Sequence, residues 1–169
     1  MKKTLTILSV VLLAAGGLFA QATKNLTMTV NLSAWYDLSL SPASISFTDV
    51  APTAADSPAA VSIKSNEGAV TVRAFAVTGS GKTLSLTVKA NGDLTSGSNT
   101  IGIGAISWAS TGSGYVDGAM ATSNVTAGSW SGSILHWHEG SFTYSFLRNY
   151  TTQAPGAYTA SATYTLSAV

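Results

Sequence analysis

Apolar and polar residues alternate along much of this chain. An early run places four apolar side chains on one parity, with Thr, Asn and Ser on the other: Leu26, Met28, Val30 and Leu32. A longer run near the end alternates in the same way: Tyr158, Ala160, Ala162, Tyr164 and Leu166. Because successive residues of a β-strand face opposite sides, this period of two predicts strands with one buried face and one solvated face.

Six shorter runs of the same period lie between these two. Their apolar positions are Leu38 and Leu40; Ile45 and Phe47; Val61 and Ile63; Val70 and Val72; Leu84, Leu86 and Val88; and Phe142, Tyr144 and Phe146. Turn-forming residues separate the runs, as at Ser41-Pro42, Asn66-Glu67-Gly68 and Asn91-Gly92-Asp93. No mature segment keeps apolar residues at helical spacing, and the Gly- and Ser-rich stretch 97–132 favours short strands and long loops. We therefore expect an all-β protein, a single immunoglobulin-like antiparallel β-sandwich with essentially no helix.

The first 22 residues have the parts of a secretory signal peptide. Lys2 and Lys3 precede an apolar block over residues 5–19, and Ala20-Gln21-Ala22 is a small-x-small cleavage site. The apolar block is shorter than the roughly 20 residues that a transmembrane helix needs. We expect residues 1–22 to be cleaved off and residues 23–169 to form one domain. That domain would be exported to the periplasm, the cell surface or the extracellular space, without a transmembrane helix.

Charged residues make up only 9% of the sequence, and it has no cysteine. Once the leader is removed, six of the eight basic residues remain against seven acidic ones, so the mature protein is almost neutral. Neutrality without a basic cluster argues against nucleic acid and anionic lipid as partners. Solubility must come mainly from Ser, Thr, Asn and Gly, and such a surface suits close assembly with protein subunits.

The closing run from Pro155-Gly156-Ala157-Tyr158 to Leu166 resembles the Gly-x-Tyr final strand of bacterial surface β-sandwiches, including spore coat protein U and related pilin-like domains. Segments 40–47 and 68–72 lie where such domains place earlier strands. The disulfide that pilin-type domains usually carry has no counterpart here, and neither has the Trp-x-Leu signature of wall-associated WxL domains. The resemblance implies a surface or fimbrial role for an immunoglobulin-like sandwich and brings no catalytic residue with it.

One cluster has the chemistry of a metal site, His136-Trp137-His138-Glu139. On a strand, His136 and His138 face the same side, where they supply two metal ligands, while Trp137 and Glu139 face the other. The sequence has no further His and no Cys to complete the site. We therefore predict no metal and no cofactor, and an exposed histidine pair at a strand end.

The four tryptophans, Trp35, Trp108, Trp130 and Trp137, allow a second kind of site. Sugar rings stack their apolar faces on indole, so exposed tryptophans on a flat sheet would bind glycans. Trp is usually largely buried in a sandwich, and we expect most of the four to be core residues.

No catalytic constellation is evident in the sequence. A Gly-x-Ser-x-Gly nucleophile elbow does not occur in a strand-turn-helix context, and Gly112-Ser113-Gly114 reads as a loop. Most acidic residues lie in turn-like contexts, which disfavours a pair of catalytic carboxylates. We predict that the protein is not an enzyme.

Three function classes remain. The first is a non-catalytic exported subunit of a surface appendage or extracellular matrix, which self-assembles or contacts other subunits. The second is a secreted carbohydrate-binding or adhesion module, and the third is a small outer-membrane β-barrel. Residues 23–34 bear on this choice, because their alternating Leu26, Met28, Val30 and Leu32 fit either the domain's own first strand or an assembly strand donated to a neighbour. The sequence favours the internal strand.

Overall fold

The computed structural model describes residues 24–52 and 60–169 of the chain, which divides into two compact units, Met1–Leu32 and Ser33–Val169. In the described part the fold is nearly all β, with no α-helix and one 3-10 turn at Ile103–Ala105. The strands are β1 Trp35–Ser41, β2 Ala60–Val77, β3 Thr83–Ala90, β4 Leu94–Ser96, β5 Asn99–Ile101, β6 Ile106–Thr111, β7 Gly118–Ala119, β8 Val125–Ser131, β9 Leu135–Asn149 and β10 Ala162–Ala168. The all-β prediction is confirmed.

The strands form three sheets, and every pairing is antiparallel. The first sheet has the order β1-β2-β9-β6-β7, the second β10-β3-β8, and β4 pairs with β5 in the third. Among the described residues β1 and β10 have one neighbour each, so neither of the two larger sheets closes on itself. The region 97–132 contains the short strands and loops that its composition predicts.

Residues 61–72 form part of one long strand rather than two. The sequence predicts a turn at Asn66-Glu67-Gly68, whereas β2 continues through it and pairs with β9 on both sides. The register shifts between Lys64 and Ala69, and Gly68 takes a positive φ of 74° that glycine adopts without strain. The glycine therefore marks a bulge in a continuous strand.

The hydrophobic core is built from the inward faces of both larger sheets. Its most deeply buried large side chains are Val70 and Val72 of β2, Leu84, Leu86 and Val88 of β3, and Phe142 of β9. Trp108 on β6 and Trp130 on β8 complete one contiguous cluster with them. The alternation seen in the sequence selects the residues of β2, β3 and β9 correctly, because each lies on the apolar parity of its strand; it did not predict Trp108 and Trp130.

The C-terminal strand is shorter than predicted. The alternation begins at Tyr158, but β10 begins at Ala162, opposite Ala90, the last residue of β3. Residues 158–161 therefore lie beyond the end of their partner strand. They keep a single bridge, between Thr95 and Thr159. The alternation of apolar residues identifies an extended backbone here, but it does not show where the partner strand β3 ends.

The described residues of the first unit, 24–32, contain no strand. The exposed fractions of Leu26, Met28, Val30 and Leu32 are 80%, 82%, 78% and 90%. The described residues 24–34 thus do not form the strand with a buried face that is expected over 23–34. The signal peptide predicted at 1–22 lies outside the described residues. No helix in the described part is both long enough and apolar enough to cross a membrane.

Candidate functional site

An apolar groove of about 1200 Å³ opens along one side of the unit Ser33–Val169. One wall is formed by β1 and the segment after it, through Leu38, Leu40, Ile45 and Phe47. The opposite wall is formed by residues 154–164, which include Tyr158 and Tyr164. Core residues form the floor, among them Ile63, Val70, Ile106, Tyr144 and Phe146. We call this the edge groove.

The edge groove is open because two edge strands flank it. Among residues 24–52 and 60–169, β1 pairs only with β2 and β10 pairs only with β3, so each leaves one row of backbone N–H and C=O groups without a strand partner in that part of the chain. The apolar wall residues are only partly buried although they pack against the core. Among the described residues, the core is therefore incompletely covered along this line.

Polar contacts hold the wall at residues 42–49 in place. The Ser46 amide donates to Glu67 Oε2 at 2.8 Å and the Ser46 hydroxyl donates to Glu67 Oε1 at 2.6 Å. The Asn66 amide donates to the Ser46 carbonyl at 2.9 Å. The hydrogen bonds from Ser46 lower the pKa of the Glu67 carboxyl. The bulge in β2 thus anchors a segment that belongs to no strand.

Arg148 brings a charge to the lining of the edge groove. Its side chain is largely buried, and Nη1 donates to the Gln153 carbonyl at 2.6 Å. Its Nε lies 3.3 Å from Asp49 Oδ2, and its guanidinium lies over the Tyr150 ring, 5.0 Å from the centroid. These contacts connect Asp49 to the end of β9, so Arg148 helps to fix the wall.

Two tyrosine hydroxyls meet inside the groove lining. Tyr144 on β9 and Tyr164 on β10 share a hydrogen bond between their hydroxyls. Burial raises the pKa of both phenols, so both stay neutral at physiological pH. This contact joins the two larger sheets beside the opening. No sequence pattern predicts the groove, because its lining comes from segments that are far apart in the chain.

The predicted histidine pair faces one side of β9, as expected, but it is not exposed. His136 is 1% exposed and His138 is half-buried. The His138 ring stacks on Trp130 with centroids 4.4 Å apart, and His138 Nε2 lies 3.4 Å from His136 Nδ1. Burial, followed by the neighbouring His136, lowers the pKa of His138. His136, His138 and the core residue Phe142 are all even-numbered residues of β9, so their side chains lie on the same, inward face of the strand.

The histidines offer two nitrogens to a metal and no more within the described chain. Over residues 24–52 and 60–169, no three His, Cys, Asp or Glu side chains come together as a metal site. His136 Nε2 is buried without a hydrogen-bond partner. Within the described residues the cluster therefore supplies two imidazoles and no third ligand.

The four tryptophans divide into two pairs. Trp108 and Trp130 are core residues, and their indole N–H groups donate to the carbonyls of Val116 at 2.8 Å and Ser113 at 2.7 Å. Trp35 and Trp137 lie on the outer face of the first sheet and are 68% and 65% exposed. The expectation that most tryptophans are buried holds for half of them. Alternation along β9 explains why Trp137 is exposed: it faces the side of the sheet opposite to the buried residues His136 and Phe142.

No family model and no curated protein matches this chain. The resemblance to spore coat protein U and pilin-like domains therefore remains a prediction. The described features that bear on function are the groove, the exposed row at Leu26, Met28, Val30 and Leu32, and the outer face of the first sheet.

Proposed function

We propose that the protein is a non-catalytic exported structural subunit of a surface appendage or matrix. Its Ser33–Val169 unit is an immunoglobulin-like sandwich that lacks one strand, and residues 24–34 of a second copy supply that strand. The observation that carries the proposal is the pairing of two incomplete features in one sequence. One is an apolar groove between two strand edges, and the other is an exposed segment with four alternating apolar side chains.

The two features match in chemistry. A strand places Leu26, Met28, Val30 and Leu32 on one face, while the intervening Thr, Asn and Ser residues face outwards. The edge groove offers an apolar lining to the first face, and the free edges of β1 and β10 offer hydrogen bonds to the backbone. Within the described residues the apolar row is exposed and the groove is open.

Burial of four side chains of this size would supply a large favourable free energy for association. Each contributes about 1.5–3 kcal/mol when fully buried, so the row contributes roughly 6–12 kcal/mol before the costs of association. That range is comparable to the roughly 5–15 kcal/mol that stabilises a whole domain. Filling the groove would therefore stabilise the subunit and join it to its neighbour in the same step.

The sparse charge of the surface fits the same role. With 9% charged residues, neighbouring subunits approach without strong electrostatic repulsion. Because the donor segment and the groove are different parts of each subunit, strand donation makes a head-to-tail contact between subunits. Such a contact generates filaments wherever its rotation does not close a ring.

Deletion of residues 23–34 tests this function. We expect the full mature protein to form polymers on size-exclusion chromatography and the shortened protein to be monomeric. A synthetic peptide of residues 24–34 should then bind the shortened protein in a 1:1 complex and raise its melting temperature. The matched control is the same peptide with Ser at positions 26, 28, 30 and 32, which keeps the backbone and removes the apolar row.

Two results would contradict the proposal. One is a full-length mature protein that is folded and strictly monomeric at all concentrations. The other is equal binding of the native and the Ser-substituted peptides, because the apolar row would then play no part.

A further inference from the structure

The outer face of the first sheet carries a second exposed apolar surface, on the side opposite to the core. It consists of Trp35 on β1, Phe75 and Val77 on β2, and Leu135 and Trp137 on β9. Trp35, Leu135 and Trp137 are 68%, 60% and 65% exposed. We call these five residues the aromatic platform. Trp is largely buried on average in folded proteins, so two such tryptophans on one flat face indicate a binding surface.

The sheet register fixes how the aromatic platform is laid out. Trp35 pairs with Val77, which pairs with Leu135, and in the next outward-facing row Phe75 pairs with Trp137. The two tryptophans are therefore two strands apart and offset by two residues, a separation of about 12 Å between backbones. Phe75 contacts Trp137 edge-to-face, with ring centroids 5.8 Å apart. The result is an elongated apolar strip with an indole at each end.

Charged groups border this strip on one side. Asp37 pairs in register with Phe75, and the next outward-facing row holds Arg73 and Glu139. Arg73 Nε donates to Glu139 Oε2 at 2.8 Å, and both side chains are about half exposed. Beside an apolar surface, a carboxylate accepts hydrogen bonds from hydroxyl groups and a guanidinium donates hydrogen bonds to them. Two carboxylates against one guanidinium leave the border slightly negative.

The aromatic platform and the edge groove lie on opposite faces of β1. Trp35 and Asp37 alternate with Leu38 and Leu40, whose side chains line the groove. A strand that fills the groove therefore leaves the platform open. Polymerisation and ligand binding on the platform are compatible in the same subunit.

We propose that the aromatic platform binds a neutral pyranose polysaccharide. Sugar rings present an apolar C–H face that stacks on indole and hydroxyl edges that hydrogen-bond to carboxylate and guanidinium groups. The elongated strip with an indole at each end suits a chain of rings rather than a single sugar. The negative border disfavours acidic polysaccharides. This function is separate from strand donation and does not depend on it.

Binding to insoluble cellulose and titration with cellohexaose test the proposal, with alginate as the acidic polysaccharide. The full mature protein should be retained on cellulose and not by alginate. Trp35→Ala and Trp137→Ala should each weaken cellohexaose binding by about tenfold. Leu147→Ala is the matched control, since Leu147 is 51% exposed on the same strand as Trp137, outside the platform, and it should bind as the parent does.

Three outcomes would overturn this inference: no retention on cellulose, equal binding by both tryptophan variants and the parent, or preference for alginate. A loss of self-association in Trp137→Ala without any glycan binding would instead make the platform an interface between copies. Polymer formation by these variants is measured alongside. Because the edge groove is untouched, polymers should persist whatever the glycan result, which separates failure of this inference from failure of strand donation.

Discussion

The imidazole of His138 stacks on the indole of Trp130, with ring centroids 4.4 Å apart and planes 7° from parallel. His138 lies on β9 of the first sheet and Trp130 on β8 of the second, so this contact joins the two larger sheets at one end of the core. The titratable groups around it are His136, whose Nδ1 lies 3.4 Å from His138 Nε2, and Tyr115, whose hydroxyl lies 3.0 Å from the His138 carbonyl.

We predict that acid destabilises the protein through His138. Burial lowers the pKa of His138 below its ordinary value of 6.5, so the unfolded chain takes up the proton first. The contribution of the neutral His138 ring to the free energy of unfolding is therefore fully present above pH 6.5, and it is lost as the pH falls through the lowered pKa. Urea unfolding at pH 8 and pH 5 measures the change. His138→Phe keeps an aromatic ring at the stack and should show a smaller loss between the two pH values; an equal loss would contradict the assignment.

We predict that Zn²⁺ and Cu²⁺ leave the melting temperature unchanged. Two imidazole nitrogens, with no third ligand grouped beside them in the described chain, make a weak site. Thermal melts of the parent and of the His136→Ala, His138→Ala double variant, each with and without metal, check this. A rise in the parent that the double variant lacks would establish a metal function.

We predict that Gly140→Ala is strongly destabilising. A Cβ at this position of β9 would lie 2.3 Å from the Thr111 carbonyl oxygen and 2.5 Å from the Tyr115 ring. Overpacking against backbone costs about 1–3 kcal/mol or more. Gly92→Ala is the control, because its Cβ would have no neighbour within 4 Å. Urea unfolding measures both, and equal free energies of unfolding would show that the close approach at Gly140 relaxes freely.

We predict that Glu67→Ala loosens one wall of the edge groove. The substitution removes the acceptor for the Ser46 amide and hydroxyl, which anchor residues 42–49 to the bulge of β2. Amide hydrogen exchange over residues 44–48 should become faster and binding of the 24–34 peptide weaker. Lys64→Ala changes a neighbouring charged residue of the same strand and should leave both unchanged. Unaltered exchange in Glu67→Ala would contradict the anchoring role.

The sequence predicts the strands better than it predicts their ends and their partners. Alternation identifies the core of β2, β3 and β9, because burial on one face requires it. It misses the bulge at Gly68, since a turn and a bulge use the same residues. It also predicts an internal strand over 23–34, whereas the described residues 24–34 form none.

The candidate sites were less predictable for a related reason. His136 and Trp137 are neighbours in sequence, yet one is buried and the other exposed. Only the register of β9 against the core decides between them. The edge groove combines residues from 38 to 164, and no local pattern reports which strand edge stays unpaired.

Cysteine cross-linking between two variants tests strand donation most directly, because the chain has no cysteine of its own. Mature Met28→Cys protein is mixed with a second protein that carries Cys at Leu40, Ile45 or Tyr158 in the groove wall. Thr27→Cys, on the opposite parity, is the control. The mixture is oxidised and run on a non-reducing gel.

A disulfide forms only where the two Cβ atoms come within about 3.5–4.5 Å. Strand donation predicts a cross-linked dimer from Met28→Cys with at least one groove variant, and little from Thr27→Cys. Polymers that form without any such dimer, or equal cross-linking from both parities, would contradict it.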